Sequence, residues 1–193
     1  MAKISWKPGN MVYPLPAVMV TVRGKDGKDN IITIAWTGTV CTNPPMLYIS
    51  VRKERYSYHL LKEAGEFVVN LTTDRLVRAT DYCGVRSGEK VDKFGETRLT
   101  KEEAKKINCA MIGESPVNIE CRIRQVIPLG SHDMFLADVV NVNVDDQYME
   151  ENGRFDLSLS SPLVYSHGEY YKIGKKIGSF GFSVKKKKRK RKS

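Results

Sequence analysis

The stretch SVRKERYSYHL, residues 50–60, places Arg52, Lys53 and Arg55 within four positions of one another and follows them with Ser57. An apolar run, PMLYI, precedes it. SYHLLKEAG follows, with Leu60, Leu61 and Ala64 at helical spacing and Gly65 as a natural stop. A strand therefore hands over to a short helix at a cluster of positive charge. The first amides of a helix lack partners within it, and its dipole is positive at that end. Guanidinium groups beside such a terminus make a seat for an anion, because arginine's planar fork holds phosphate through paired bonds. Ser57 is the candidate N-cap, its hydroxyl oxygen accepting from the orphan amides. The competing reading of the same residues is a solvated charged turn in which Ser57 only caps.

Other chemistries find little support. G-x-S-x-G is absent, and His59, His132 and His167 pair with no nucleophile at a legible spacing. Neither a P-loop nor G-x-G-x-x-G occurs, so a nicotinamide would bind without a Rossmann domain. Cys41, Cys83, Cys109 and Cys121 form no C-x-x-C pair, and none has a second cysteine or histidine at ligand spacing, so no metal site is expected. Free thiols suit a reducing compartment. Cys83, within the polar DYCGVRSGEK, is the one expected near the surface.

The elements that position these residues read as mainly β. PAVMVTVRG alternates as a strand, KDGKDN turns, and NIITIAWTGTV returns, which makes a hairpin. PMLYISVRK is a third strand and EFVVNLT a fourth. Residues 74–95 read as a long loop with one short helix at its start, and TKEEAKKINC as helical. VNIECRIRQVIPLG sets Val117, Ile119, Cys121 and Ile123 on one face against Asn118, Glu120, Arg122 and Arg124 on the other. It pairs across PLGS with HDMFLADVVNVNVD. Six or more antiparallel strands with few helices favour closure into a barrel, which leaves no edge unpaired. The aromatic, glycine-rich segment 161–182 is expected to pack over that barrel.

The chain of 193 residues is 41% hydrophobic, enough for one domain with a sizeable core, which we place at residues 1–184. Eight of its ten net positive charges fall in KKKKRKRK, residues 185–192, which leaves +2 on the rest. Residues 185–193 are therefore read as a disordered basic tail that meets nucleic acid only non-specifically. No apolar run reaches the ~18–20 residues that span a bilayer. The N-terminus carries proline and tryptophan where a signal peptide needs an apolar core. A cytoplasmic protein is expected.

The pieces PAVMVTVRGKDGKDNIITIAW, TNPPMLYISVRKERYSYHLL, EFVVNL, SGEKVDKF, IECRI and GSHDMFLADV, in this order and spacing, resemble the flavin reductase-like, FMN-binding split-barrel family and its flavoredoxin branch. They cover most of residues 14–140, and YYKIG near the end also fits. The resemblance implies an antiparallel FMN-binding split barrel with a few short helices, a homodimer, and FMN at the barrel mouth. It implies that the FMN phosphate sits on SVRKERYS, with Arg52 or Arg55 as charge partners and Ser50, Val51, Ser57 and Tyr58 around it. Asn30 would bond the flavin or its ribityl chain, and backbone amides of Thr33, Ile34, Ala35, Trp36 and Thr37 would bond the ring's carbonyl oxygens. Trp36 would lie against the isoalloxazine, or else serve as barrel core. Lys93, with Phe94 beside it, would bring a cation from a loop to the flavin or its phosphate and raise the reduction potential. His132 is the implied catalytic residue, near nicotinamide or flavin. The family pattern has Asp before this histidine, and here Ser131 stands there. Tyr165 would cover the flavin, or else fill the core.

The implied activity takes hydride from NADH or NADPH onto FMN and passes electrons to an acceptor protein or small molecule. Two other classes stay open: a non-enzymatic barrel with a polyanion-binding tail, and a related split barrel holding haem or pyridoxal phosphate.

Overall fold

Residues 1–185 are described by the computed structural model, and the basic tail beyond Lys185 lies outside the described residues. In chain order the strands are β1 (Leu15–Pro16), β2 (Val18–Arg23), β3 (Asp29–Ile34), β4 (Thr37–Thr42), β5 (Pro45–Arg52), β6 (Glu66–Leu71), β7 (Lys101–Glu103), β8 (Ala110–Ile112), β9 (Val117–Pro128), β10 (His132–Val144), β11 (Leu163–Ser166) and β12 (Glu169–Lys172). The helices are α1 (Tyr56–Ala64), α2 (Val77–Val85) and α3 (Lys93–Thr97).

Seven strands form one antiparallel sheet in the order β3-β2-β6-β9-β10-β5-β4. Its two edges, β3 and β4, are consecutive in the chain. The corner Ala35–Trp36 joins them, and there the amide of Ser50 on β5 donates to the carbonyl of Trp36 at 2.8 Å. The sheet thus closes on itself at the corner, while β3 and β5 form no strand pair along their length. This gap is the split in the barrel.

Strand periodicity explains the core. Val18, Val20 and Val22 of β2 point inward and meet Ile32, Ile49, Phe67, Val69 and Phe135, all buried. The alternate residue Met19 faces outward, yet it too is buried, against Ile31, Leu76, Phe94 and Ile112. A second apolar layer under α2 and α3 therefore covers the outer face of β2 and β3. α1 inserts Leu60 and Leu61 into the barrel core. It ends where expected, at Gly65, whose φ of 70° lets its amide reach the carbonyl of Leu61.

Several sequence expectations need correction. The short helix expected at the start of residues 74–95 is present, but the loop after it is shorter than expected. A 3-10 turn at Asp74–Leu76 runs into α2, and α3 starts at Lys93. The apolar stripe of α2 is thin: only Thr80 and Cys83 are buried within it, so no helical period stands out. TKEEAKKINC is not helical. Its first residues form β7, which pairs with β8, and the following amides are captured by Glu120. Cys83 is buried rather than near the surface; Cys41 is the partly exposed thiol. Ser57 is not the N-cap of α1. Arg55 holds that position without a side-chain bond to the helix's first amides, and Ser57 lies inside the first turn. The C-terminal segment does pack over the barrel. β11 pairs with β1 and β12, and the amide of Leu163 donates to the carbonyl of Thr72. Among the described residues no helix is long and apolar enough to cross a membrane.

Glu120, read as outward-facing, is fully buried. Its carboxylate accepts from the amides of Lys105 and Lys106 at 3.0 and 2.7 Å and from the side chains of Asn141 and Asn143 at 2.7 and 2.8 Å. Burial pushes this carboxyl up, and the four donors outweigh it and hold it below the usual range. Its contribution to stability is thus present above pH ~4.3 and lost as pH falls through the lower folded value. Glu120→Ala orphans four donors and should cost roughly 3 kcal/mol in urea unfolding at pH 7, with less further loss on acidification than the parent chain. Unchanged stability would show the carboxylate to be dispensable.

Candidate functional site at the barrel split

The split opens into a cleft of about 300 Å³. Its floor is the end of β3 and the corner, residues Thr33, Ile34, Ala35 and Trp36. One side is the end of β5, with Ser50, Val51 and Arg52, and beside it His132 at the head of β10. His132 and Arg52 are register partners across β10 and β5. The other side is α2, through Asp81, Gly84 and Val85, and the far rim is the β11–β12 hairpin, through Tyr165 and Tyr170. A second hollow of about 310 Å³ shares Ile32, Arg52, Arg55 and Val85 with the first and continues it. It reaches the start of α1 at Tyr56 and Ser57 and adds Arg86, Ser87 and Lys93.

The two ends differ chemically. At the first, half-buried Trp36 has Tyr13 beside it at 6.4 Å between ring centroids, and Tyr165 and Tyr170 lie 5.8 Å apart edge to face. The amides of Ala35 and Trp36 meet no acceptor among the described residues. At the second end three guanidiniums, an ammonium and the first-turn amides of α1 converge. The amides of Tyr56 and Ser57 also lack an acceptor there, and the first turn carries no acid. Unpartnered donors at both ends of one trough are a demand for acceptors: flat carbonyl-bearing surface at one end, an anion at the other.

Electrostatics follow from packing. The side chain of Arg52 reaches Glu54 at 3.3 Å. That of Arg55 donates to the carbonyl of Gly84 at 3.2 Å. Arg86 has no side-chain partner among the described residues. Lys93, at 4% exposure, donates to the carbonyls of Ile31 and Cys83 at 2.6 and 2.8 Å. Burial pushes this ammonium down to about 8 and the thiol of Cys83 up to about 11. Partial burial and then the charge of Arg52 push His132 below the usual imidazole value, with Glu54 opposing, so the neutral ring prevails at pH 7. Its Nδ1 lies 2.9 Å from the hydroxyl of Ser131. Burial, with the nearby Asp81 carboxylate, pushes the Tyr170 hydroxyl up to about 12, and this hydroxyl donates to Asp81 at 3.3 Å.

Of the residues singled out from sequence, Thr33, Ile34, Ala35, Trp36, Ser50, Val51, Arg52, Arg55, His132 and Tyr165 line the first hollow, and Ser57 and Lys93 the second. Lys93 arrives from the first turn of α3, not from a loop, and two carbonyls already hold it. Asn30 lies behind the wall: its amide donates to the Ser57 hydroxyl at 2.7 Å. A Cβ on Gly88 would sit 1.9 Å from the Asn30 side-chain oxygen, so only glycine there leaves Asn30 its place. Thr37, Tyr58 and Phe94 fall outside both hollows. Thr37 donates to the carbonyl of Tyr48 at 2.6 Å. Tyr58 points down the next face of α1, where its hydroxyl meets Asp133 at 2.5 Å. Phe94 belongs to the apolar layer under α2.

Asp81, Gly84 and Arg86 escape the sequence reading: a short helix is expected at the start of residues 74–95, but its thin apolar stripe does not show which face meets the site. That reading also missed Tyr170, which was readable. YSHGEY is a tight hairpin that pairs Tyr165 with Tyr170, and cross-strand partners share a face.

Residues 10–174 match the flavin reductase like domain family. The chain belongs to that family. Among solved structures, this flavin reductase-like chain superposes on flavoredoxin of Desulfovibrio vulgaris (Miyazaki F) with a TM-score of 0.89 and 30% identity, over 95% of this chain and 100% of that one. Flavoredoxin from Methanosarcina acetivorans gives 0.87 and 30% over 96% and 100%. Nitrilotriacetate monooxygenase component B from Bacillus cereus shares the fold, with a TM-score of 0.83 and 23% identity over 93% and 100%.

Two measurements check this geometry. In an NMR titration His132 should have its midpoint below 6.5, and Arg52→Gln should move it upward; a midpoint at or above 6.5, or one insensitive to Arg52, contradicts the arrangement. Lys93→Met leaves two buried carbonyls without a donor, at a cost of about 2 kcal/mol. Amide exchange over residues 84–92 should quicken correspondingly, whereas Lys90→Met, at an exposed position, should leave it unchanged.

Proposed function

We propose that the chain is an FMN-binding redox protein that draws on NADH or NADPH and serves a second acceptor. The observation that carries this reading is the two-ended trough. A dianionic phosphate matches Arg52, Arg55, Arg86 and the free amides of α1, and a planar ring with carbonyl oxygens matches Trp36 and the free amides of the corner. Membership of the flavin reductase-like family and 30% identity to two flavoredoxins over nearly the whole chain support it. Relatives at lower identity point the same way, among them an FMN-binding protein of Thermus thermophilus at 20% and the reductase component of a resorcinol hydroxylase of Rhizobium at 23%.

FMN, when bound, supplies the hydride and electron chemistry. The protein's part is placement and charge. Arg52 and Arg55 fix the phosphate end, and the corner amides fix the ring edge. Trp36, Tyr165 and Tyr170 exclude water from the ring face. Neutral His132, adjacent to Arg52, can donate a hydrogen bond to negative charge that develops at the ring or to a nicotinamide amide. No dyad of side-chain acid and base is needed, which accounts for the lack of one in the sequence.

Two further parts of the reading concern assembly. The N-terminal arm exposes Ile4, Trp6, Met11 and Val12, apolar surface that a second copy of the chain would cover, so we propose a homodimer. Unpaired buried cysteines fit a reducing, cytoplasmic setting. Between a reductase that releases flavin and a carrier that retains it, the greater identity to flavoredoxins favours retention.

Purified protein should be yellow and should lose its visible absorption on anaerobic addition of NADH or NADPH. A colourless chain that takes up no added FMN would overturn the reading. Arg52→Gln with Arg55→Gln removes two charge-assisted contacts of about 1.5–3 kcal/mol each. FMN affinity should therefore fall by roughly a hundredfold or more, and riboflavin affinity, lacking the phosphate, should hardly change. Equal losses for both ligands would place the arginines elsewhere than at the phosphate.

A further inference from the structure

Half of the ten arginines among the described residues are spoken for. Arg23, Arg52, Arg122 and Arg124 pair with carboxylates, and Arg55 bonds the carbonyl of Gly84. Among the described residues Arg75, Arg78, Arg86, Arg98 and Arg154 have neither an ion pair nor a side-chain hydrogen bond. Arg86 stands at the anion end of the trough. Arg75, Arg78 and Arg98, all exposed, stand together around a different hollow.

That hollow is a groove of about 640 Å³ between α2 and α3. Leu76, Ala79 and Leu99 pave it, and Tyr82 offers an aromatic flank. Two acids share its rim. Glu114 is occupied, accepting from the amide and hydroxyl of Thr100 at 3.0 and 2.7 Å, and Glu96 is unpaired. Three guanidiniums around one groove repel one another, and among the described residues none of them forms an ion pair with Glu96, Glu114 or any other carboxylate. Arg75 and Arg78 also sit near the start of α2, where the dipole adds positive potential rather than relieving it.

We propose that this groove docks a segment of an acidic partner protein, one that receives electrons from the chain; the idea rests on the redox reading above. The guanidiniums receive its carboxylates, and Tyr82 with the apolar floor receives a side chain between them. Arginine and tyrosine are the residue types that carry docking energy. Glu96 selects register by repelling misplaced acids. The same carboxylate argues against nucleic acid, whose evenly spaced phosphates would meet it. Placement suits the task. Arg78, Ala79 and Tyr82 line the groove, and Asp81, Gly84 and Val85 on another face of α2 line the cofactor trough. A docked partner is then separated from the trough by one helix, on the order of 10 Å.

The test follows the side-chain Nε–Hε signals of Arg75, Arg78 and Arg98 by NMR on the full chain, while a blocked hexaglutamate peptide is added at low salt. The expected result is a saturable shift of all three signals and of the Tyr82 amide, abolished at ~0.5 M salt by screening and not produced by hexaglutamine. In Arg75→Gln/Arg78→Gln/Arg98→Gln the Tyr82 shift should need at least tenfold more peptide. The proposal is overturned if only Arg189 and Arg191 of the basic tail respond. It is equally overturned if the triple variant binds like the parent, or if a short DNA duplex of matched charge shifts the groove signals more than the peptide does. Flavin content, read from visible absorption of the same sample, is independent of these shifts, so a chain without FMN and a groove without a ligand are separate results.

Discussion

The ammonium of Lys93 lies under the place where β3, α2 and α3 meet, bonded to the carbonyls of Ile31 and Cys83. Both acceptors would be orphaned without it. Cys83 is in the last turn of α2, a turn that has no cation of its own. Carbonyls at that end carry partial negative charge, and the chain brings two cations from elsewhere to meet them: Lys93 on Cys83 and Arg55 on Gly84. The wall of the trough is thereby fixed to its floor. Arg55 is in turn held at the rim, aimed along the same edge as the first-turn amides of α1. Placing a charge at 4% exposure has an energetic cost, which the two carbonyls offset.

The second governing feature is topological. β3 and β4 are neighbours in sequence but opposite edges of the sheet, so closing the barrel requires the sharp corner at Ala35–Trp36. A corner cannot pair its own amides as a strand does. The donors that closure leaves over are the ones that face the trough. The split, the free amides and the half-buried Trp36 therefore share one cause. The handover from β5 to α1 sits across the same gap, so the anion end and the ring end are separated by the width of the split and by little else.

What the sequence made legible follows from how locally each feature is encoded. Alternation in VMVTV and VNIECRI, the turn at KDGKDN and the stop at Gly65 depend on neighbours alone. The cationic handover at Arg52–Ser57 was likewise visible, and ten of the residues picked from sequence do line the first hollow. A short helix after Asp74 was legible, but the extent and facing of α2 were not, because its apolar face is made by Thr80 and Cys83 and its end is satisfied by residues distant in the chain. β7 was obscured by strong helix formers, which Glu120 and pairing with β8 override. Thr37, Tyr58 and Phe94, implied by the resemblance, are chain neighbours of lining residues but lie outside both hollows. Adjacency misleads here, since neighbours on a strand face opposite ways and those on a helix differ by about 100°. Lys93 was picked for its charge, and it does line the second hollow, but its bonds to the carbonyls of Ile31 and Cys83 could not be read from the sequence.

The most direct test of the account is the 31P NMR titration of FMN bound to the protein. A phosphate held by Arg52, Arg55 and the amides of Tyr56 and Ser57 is kept dianionic, so its resonance should stay constant from pH 8 down to well below the ordinary second pKa of about 6. A bound FMN whose phosphate titrates near 6, as it does in water, would mean that the phosphate lies in solvent and that the positive rim does not hold it.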